Sequence, residues 1–240
     1  MVKDLNNIVI ILNEPRYPEN IGASARCLKN MGLSHLRIVK PQNWNEEKIL
    51  KMATHEASDI IDAATHFDRL DDAVSDLNLL AGTTARTGRK RRPTHTPRTI
   101  AQKVVTYPSS VKIGIVFGSE KWGLSNSELN LCNWVVSIPT ADFSSLNLAQ
   151  SVMIICYEIM LASGDRRHIQ MPRLATARER EGMFSHLEQV FEAIGLYDKQ
   201  TPSYWIQNAR RFFSNKELTA RDVKTVRGFL RQILWAVKNG

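Results

Sequence analysis

The chain is 240 residues long, 43% hydrophobic and 23% charged, and its 32 Lys and Arg outweigh 24 Asp and Glu for a net charge of +8. That composition suits one large or two modest globular domains and excludes collagen, extended disorder and a disulfide scaffold. Cys27, Cys132 and Cys156 form no C-x-x-C pair and the first apolar run is too short for a signal peptide or a span, so a cytoplasmic protein without a membrane partner is expected.

Residues 8–12 (IVIIL), 36–39 (LRIV), 78–81 (NLLA), 113–117 (IGIVF) and 134–138 (WVVSI) are short, apolar and rich in β-branched side chains, which predicts strands buried on both faces. Helical spacing appears between them, at 20–32, 46–53, 69–76, 97–106, 125–131 and 147–162. Alternation of this kind predicts an α/β domain over 1–163, a parallel sheet with helices on both faces. A polar, basic linker over 164–175 then leads into a helical part over 176–240. There residues 219–238 bring Val223, Val226, Leu230, Ile233, Leu234 and Val237 into one stripe, with Thr219 as a possible cap. Arg221, Lys224, Arg227, Arg231 and Lys238 fall on the adjoining flank, while Tyr204, Trp205, Phe212, Phe213 and Trp235 read as core or dimer packing ahead of base-stacking platforms.

Charge is unevenly spread along these elements. Residues 41–80 carry nine acids and three bases, whereas 85–103 carry seven bases and no acid. Within that block Arg86, Arg89, Lys90, Arg91 and Arg92 are candidate RNA-binding residues, because cations that neutralise phosphates gain affinity from counterion release. A solvated loop is the other reading of the same block.

Several familiar sites are missing. No two glycines stand one residue apart, so there is no dinucleotide fingerprint. Gly118 and Gly123 space like a phosphate loop but Leu124 replaces its lysine, and His55-Glu56 has no second histidine four positions after the first. No metal site is expected. Three segments that mix small, polar and charged residues remain at strand ends, where open α/β sheets bind ligands. Asn20 to Arg26 (NIGASAR) follows the first strand; its Asn20 can cap a helix, and Gly22 permits close approach of backbone or substrate. Phe117 to Ser125 (FGSEKWGLS) suggests a tight loop that exposes backbone groups. Ile138 to Asn147 (IPTADFSSLN) runs into the most apolar helix, with Ser144 and Ser145 as candidate caps and an amide at Asn147.

In this order, N-x-G-x-x-x-R, F-G-S-E-x-x-G-L-S and I-P-x-x-x-x-S-S-L-N-L-A resemble the three motifs of the SpoU (TrmH) family of RNA ribose methyltransferases, in the SPOUT superfamily. Ser119 departs from the pattern, since an arginine is common there. The tail around K-T-V-R-G-F-L resembles that of the family's tRNA (cytidine/uridine-2′-O-)-methyltransferases. The resemblance implies a SPOUT-type sheet with a carboxyl-terminal trefoil knot over about residues 80–160, a small helical extension, and a homodimer whose active site is completed across the interface. It implies S-adenosyl-L-methionine as cofactor, held by Thr83, Thr84, Ala85, Gly118, Gly123, Ile138 and Leu146. It implies a tRNA substrate, modified at nucleotide 32 of the anticodon loop, with ribosomal RNA or catalytically silent RNA binding as the alternatives. Arg26 would act on the ribose 2′-hydroxyl, Asn20 would orient Arg26 or the substrate phosphate, Ser145 and Asn147 would hold the nucleotide or the arginine, and Glu120 would fix the loop. An arginine stays protonated near neutrality, so Arg26 either loses a proton transiently in a dry site or remains charged beside the developing alkoxide.

Overall fold

The computed structural model describes residues 5–86, 93–165, 172–196, 204–214 and 216–239. They fall into two units, Met1–Met171 and Pro172–Gly240. The first is built on six strands: β1 (Ile8–Asn13), β2 (His35–Val39), β3 (Thr65–Phe67), β4 (Leu79–Thr83), β5 (Ile113–Phe117) and β6 (Trp134–Val136). Every pairing is parallel, in the order β3-β2-β1-β5-β4-β6. β1 and β5 are buried along their whole length, which is why they read as unbroken apolar runs rather than alternating ones.

Strand order reverses beside β1, with β2 and β3 to one side and β5, β4 and β6 to the other. In an open parallel sheet such a reversal leaves a crevice beyond the strand ends. Asn13, Thr83 and Phe117 end the three strands that meet there.

Seven helices flank the sheet: α1 (Pro18–Asn30), α2 (Glu46–Ala53), α3 (Ser58–Asp62), α4 (Leu70–Val74), α5 (Pro97–Val104), α6 (Asn126–Leu131) and α7 (Leu148–Ala162). The predicted strands and helices all appear, with ends displaced by a few residues. Two elements are new. β3 is three half-exposed residues whose strand character comes from pairing Val39 with Phe67, and α3 is little more than one turn, so neither carries a periodic signal. β6 stops at Val136 rather than residue 138, and the next amide, of Ser137, donates to the carbonyl of His95 at 3.1 Å.

α1 lies tightly against α2. A Cβ at Gly22 would stand 2.0 Å from the carbonyl oxygen of Ile49, so the close approach that this glycine permits is to backbone. α7 is apolar all round: Val152, Ile155, Cys156 and Ile159 are fully buried, yet Tyr157 and Leu161, one turn apart, are exposed.

The second unit holds α8 (Ala177–Ala193), α9 (Tyr204–Ser214) and α10 (Ala220–Asn239). A capping box starts α8, in which the Thr176 hydroxyl accepts from the Glu179 amide and the Glu179 carboxylate accepts from the Thr176 amide. Thr219 caps α10 as expected, accepting from the Asp222 amide at 3.1 Å. Met183, Phe184, Leu187, Val190, Ile206, Val223 and Leu230 form the core, with Phe213, Val226 and Leu234 packed against it. Of the five aromatics only Phe213 joins that core; Tyr204, Trp205, Phe212 and Trp235 are exposed, as are Ile233 and Val237 of the predicted stripe.

Substituting Gly22→Ala should lower stability by about 1–3 kcal/mol, since the Ile49 carbonyl belongs to a helix backbone that can yield only by moving α2. Denaturant unfolding checks this, and a melt unchanged from wild type would show that the helices separate freely.

Candidate active site

β1 ends at Asn13, and a short loop turns the chain into α1 at Pro18. Proline suits a first helical turn because its missing N–H would have no partner there. Asn20 therefore lies inside the helix rather than capping it; Tyr17 occupies the cap position, and its side chain makes no capping bond. The amides in front of the helix are satisfied from another segment. The Glu120 carboxylate accepts from the backbone N–H of Arg16 at 2.8 Å and of Tyr17 at 3.3 Å.

Glu120 also accepts from Asn20 Nδ2 at 2.7 Å, and Asn20 Oδ1 in turn accepts from Asn147 Nδ2 at 2.9 Å. Asn147 Oδ1 accepts from the amides of Ala149 at 2.9 Å and Gln150 at 3.3 Å, which makes Asn147, rather than Ser144 or Ser145, the cap of α7. One hydrogen-bonded chain thus joins residues separated by 100 and 127 positions and unites all three sequence segments. Arg26 is not in it. Six residues beyond Asn20 is about 240° around a helix, and whereas Asn20 is buried, Arg26 is exposed and has no hydrogen-bond partner among the described residues. The expectation that Asn20 orients Arg26 is thereby corrected: Asn20 orients Asn147 and is itself held by Glu120.

The loop after β5 closes on itself. A Cβ at Gly118 would stand 2.2 Å from the Gly123 carbonyl carbon, and Gly123 has φ +59° while its amide donates to the Ser119 carbonyl at 2.7 Å. Both glycines are required, one for proximity and one for its left-handed backbone. Arg86, reaching across from the end of β4, donates to the carbonyls of Trp122 and Leu124. The guanidinium expected to meet RNA thus also holds this loop. Arg89, Lys90, Arg91 and Arg92 lie outside the described residues.

Between these segments opens a cleft of about 450 Å³. Thr83, Thr84 and Ala85 line it from the end of β4, Gly118 and Gly123 from the closed loop, and Ile138 and Leu146 from the approach to α7. Glu120 and Ser145 also line it; Asn20, Asn147 and Arg26 do not. Phe117 and Leu148, which the motifs contain without an assigned role, and Val136, which lies outside them, add apolar wall; the rule that ligands sit at strand ends could have singled out Phe117 and Val136. The cleft thus combines apolar walls, exposed main-chain groups and a few hydroxyls. Its carboxylate, Glu120, has both oxygens engaged in hydrogen bonds to the β1–α1 loop and Asn20. The cysteines are no alternative as nucleophiles: all three are buried, and burial pushes the thiols of Cys27 and Cys156 up.

A family model described as the SpoU rRNA Methylase family matches residues 7–157. The chain belongs to that family. A second model, the C-terminal domain of the tRNA methyltransferase TrmJ, matches residues 178–240. The tRNA (cytidine/uridine-2′-O-)-methyltransferase TrmJ of Sodalis glossinidius is 33% identical over 95% of this chain and 92% of its own. The tRNA (cytidine/uridine/adenosine-2′-O-)-methyltransferase TrmJ of Pseudomonas aeruginosa is also 33% identical, over 95% and 94%. Among solved structures, TrmJ from Z. mobilis ZM4 aligns with a TM-score of 0.82 at 29% identity, covering 94% of this chain and 98% of that one. The fold is shared more distantly with the SpoU methyltransferase AviRb from Streptomyces viridochromogenes, solved in complex with AdoMet, at a TM-score of 0.51 and 20% identity over 69% and 62%. Among the described residues no helix is long and apolar enough to cross a membrane, and no three His, Cys, Asp or Glu side chains gather to hold a metal.

Glu120→Ala removes the acceptor of three donors and should cost about 1–3 kcal/mol of stability, with faster amide exchange at residues 16–20. Unaltered exchange there would mean that the β1–α1 loop is held by something else.

Proposed function

We propose that this chain is a cytoplasmic tRNA 2′-O-methyltransferase that uses S-adenosyl-L-methionine and modifies nucleotide 32 of the anticodon loop. The observation that carries the reading is the cleft beyond the ends of β4, β5 and β6, where main-chain groups are exposed and Glu120 of its lining is tied through Asn20 to Asn147. Its volume of about 450 Å³ lies in the range of small-molecule sites. The tight 118–123 turn, with no room for a Cβ at Gly118 and a left-handed Gly123, leaves backbone polar atoms available to an adenosine and an amino-acid moiety. S-adenosyl-L-methionine brings an already activated methyl group, so the protein's work is alignment and removal of the hydroxyl proton. Thr83, Thr84, Ala85, Gly118, Gly123, Ile138 and Leu146 hold it mainly through main chain and apolar contact.

Ser145, exposed at the cleft rim, orients the reacting ribose, and Asn147 sets the position of Ser145 by anchoring α7 to Asn20. Arg26 stays charged and stabilises the alkoxide that develops on the 2′-oxygen as water takes the hydroxyl proton; the methyl–sulfur bond of the cofactor would break and S-adenosylhomocysteine would leave. Since Arg26 is exposed and does not line its own chain's cleft, it serves the cleft of a second protomer in a homodimer. The exposed Tyr157 and Leu161 on the apolar helix α7, which packs on α1, support that assembly. A trefoil knot over about residues 80–160 accords with β4 lying between β5 and β6 and with α5 and α7 in contact. The helical second unit is an extension that adds tRNA affinity through its basic flank. Arg86, which lines the cleft, adds to that affinity, as do the charges of Arg89, Lys90, Arg91 and Arg92.

A ribosomal RNA substrate is the second reading, favoured by the description of the family model over residues 7–157. The match of residues 178–240 to the tRNA methyltransferase model and the names of the full-length relatives favour tRNA. Mapping ribose methylation on cellular RNA from a strain lacking the gene separates the two: loss at tRNA nucleotide 32 is expected, and loss confined to ribosomal RNA would replace the first reading by the second.

Arg26→Ala should reduce turnover at least about 100-fold with cofactor binding and thermal unfolding retained. Mixed with a cofactor-deficient Gly118→Ala partner, it should regain part of the activity if the site is shared between protomers. Turnover within a few-fold of wild type would remove Arg26 from the mechanism.

A further inference from the structure

A second cavity of about 340 Å³ adjoins the cofactor cleft. Four residues, Arg86, Ser119, Trp122 and Gly123, line both. The rest of its lining is Asn13, Glu14, Ser125, Asn126 and Glu128, none of which reaches the first cleft.

Trp122 is the unusual member. Its indole is 64% exposed, although burying a side chain of that size stabilises a fold by about 2–3 kcal/mol. The exposure does not come from a loose loop. The Trp122 amide donates to Ser119 Oγ at 3.4 Å, its carbonyl accepts from Arg86, and the next amide is bonded to Ser119 at 2.7 Å. The ring is therefore presented from a fixed backbone, with Lys121 Nζ 4.7 Å from its centroid. A fixed, solvent-facing indole with Lys121 beside its ring and Arg86 on its own carbonyl is the arrangement that stacks on the base of a single-stranded nucleotide while its phosphates meet positive charge.

The polar groups of the cavity narrow the choice of base. Asn13 is almost fully buried and its Nδ2 donates to Glu128 Oε1 at 2.6 Å, which leaves Oδ1 as the atom without a partner among the described residues. Glu128 is occupied by that bond and by the Ser125 amide. Glu14, at the end of β1, keeps an accessible carboxylate whose pairing with Lys40 is long, at 3.7 Å. An amide oxygen and a carboxylate beside an aromatic face complement a base bearing an exocyclic amine, as carboxylates do when they accept from cytosine. Uracil offers no such amine.

We propose that the second cavity is a nucleobase pocket: Trp122 stacks on an unpaired base of the RNA substrate, and Glu14 and Asn13 accept from its exocyclic amine. The proposal rests on the methyltransferase reading only for the RNA being a substrate. It is tested on the full-length chain with an unmodified tRNA transcript and with nucleoside monophosphates as competitors.

Trp122→Ala should weaken tRNA binding about 10- to 100-fold, at least about tenfold more than it weakens S-adenosyl-L-methionine affinity, since the indole also lines the cofactor cleft; Trp122→Phe should recover most of the loss, and Glu14→Gln, confined to the second cavity, should leave cofactor affinity within about twofold. CMP, AMP and GMP should displace tRNA at lower concentration than UMP, and Glu14→Gln should erase the difference. The proposal is overturned by tRNA affinity within twofold of wild type in Trp122→Ala, by UMP competing as well as CMP, or by cofactor affinity falling as far as RNA affinity. A changed oligomeric state in Trp122→Ala, read by light scattering, would overturn it as well by making the indole an interface residue. If the wild-type chain neither binds S-adenosyl-L-methionine nor methylates tRNA, the function fails while the binding contrast at Trp122 still decides the pocket.

Discussion

The Glu120 carboxylate, bound by two backbone amides and the Asn20 side chain, is the joint on which the candidate site depends. Without it the amides before α1 and the buried Asn20 side chain would each lose an acceptor, and a buried polar group without a partner costs more than a formed hydrogen bond returns. Through Asn20 the same joint reaches Asn147, which caps α7. The geometry of the cleft is thereby set by one charge and two amides rather than by the sheet alone. The sheet brings three strand ends together; the joint decides how the segments beyond them face one another.

Much of the fold was legible because the physics that builds it is local. β1 and β5 sit in the middle of the sheet, so each position must be apolar and the run announces itself. β3 exists only because β2 offers an edge, and nothing in Thr65-His66-Phe67 encodes that partner. α7 was legible from its apolar length, but its cap was not: Ser144, Ser145 and Asn147 are all good caps by type, and the choice follows from the contact that Asn20 makes with Asn147.

The site divides in the same way. Residues that line the cleft through glycine geometry or main chain, such as Gly118, Gly123 and Thr83 to Ala85, were reachable from motif and strand-end position. The partners of side chains were not. The resemblance gives Asn20 either Arg26 or the substrate phosphate to orient, yet six residues of helix turn it away from Arg26, and its observed partners come from residues 100 or more positions away. Arg86 was assigned to RNA by charge, while its guanidinium also fastens the carbonyls of the 118–124 loop. Exposure, too, is a tertiary property: nothing in the type or position of Trp122 distinguishes a presented indole from a core one.

The opposed facing of Asn20 and Arg26 on α1 carries a consequence for how such an enzyme behaves in dilute solution. α1 is held against α2 at Gly22 and cannot roll to swing the arginine inward. Under the proposed assembly, in which Arg26 of one protomer completes the cleft of the other, specific activity would track the association equilibrium, falling with protein concentration below the dimer dissociation constant even when cofactor and RNA are saturating.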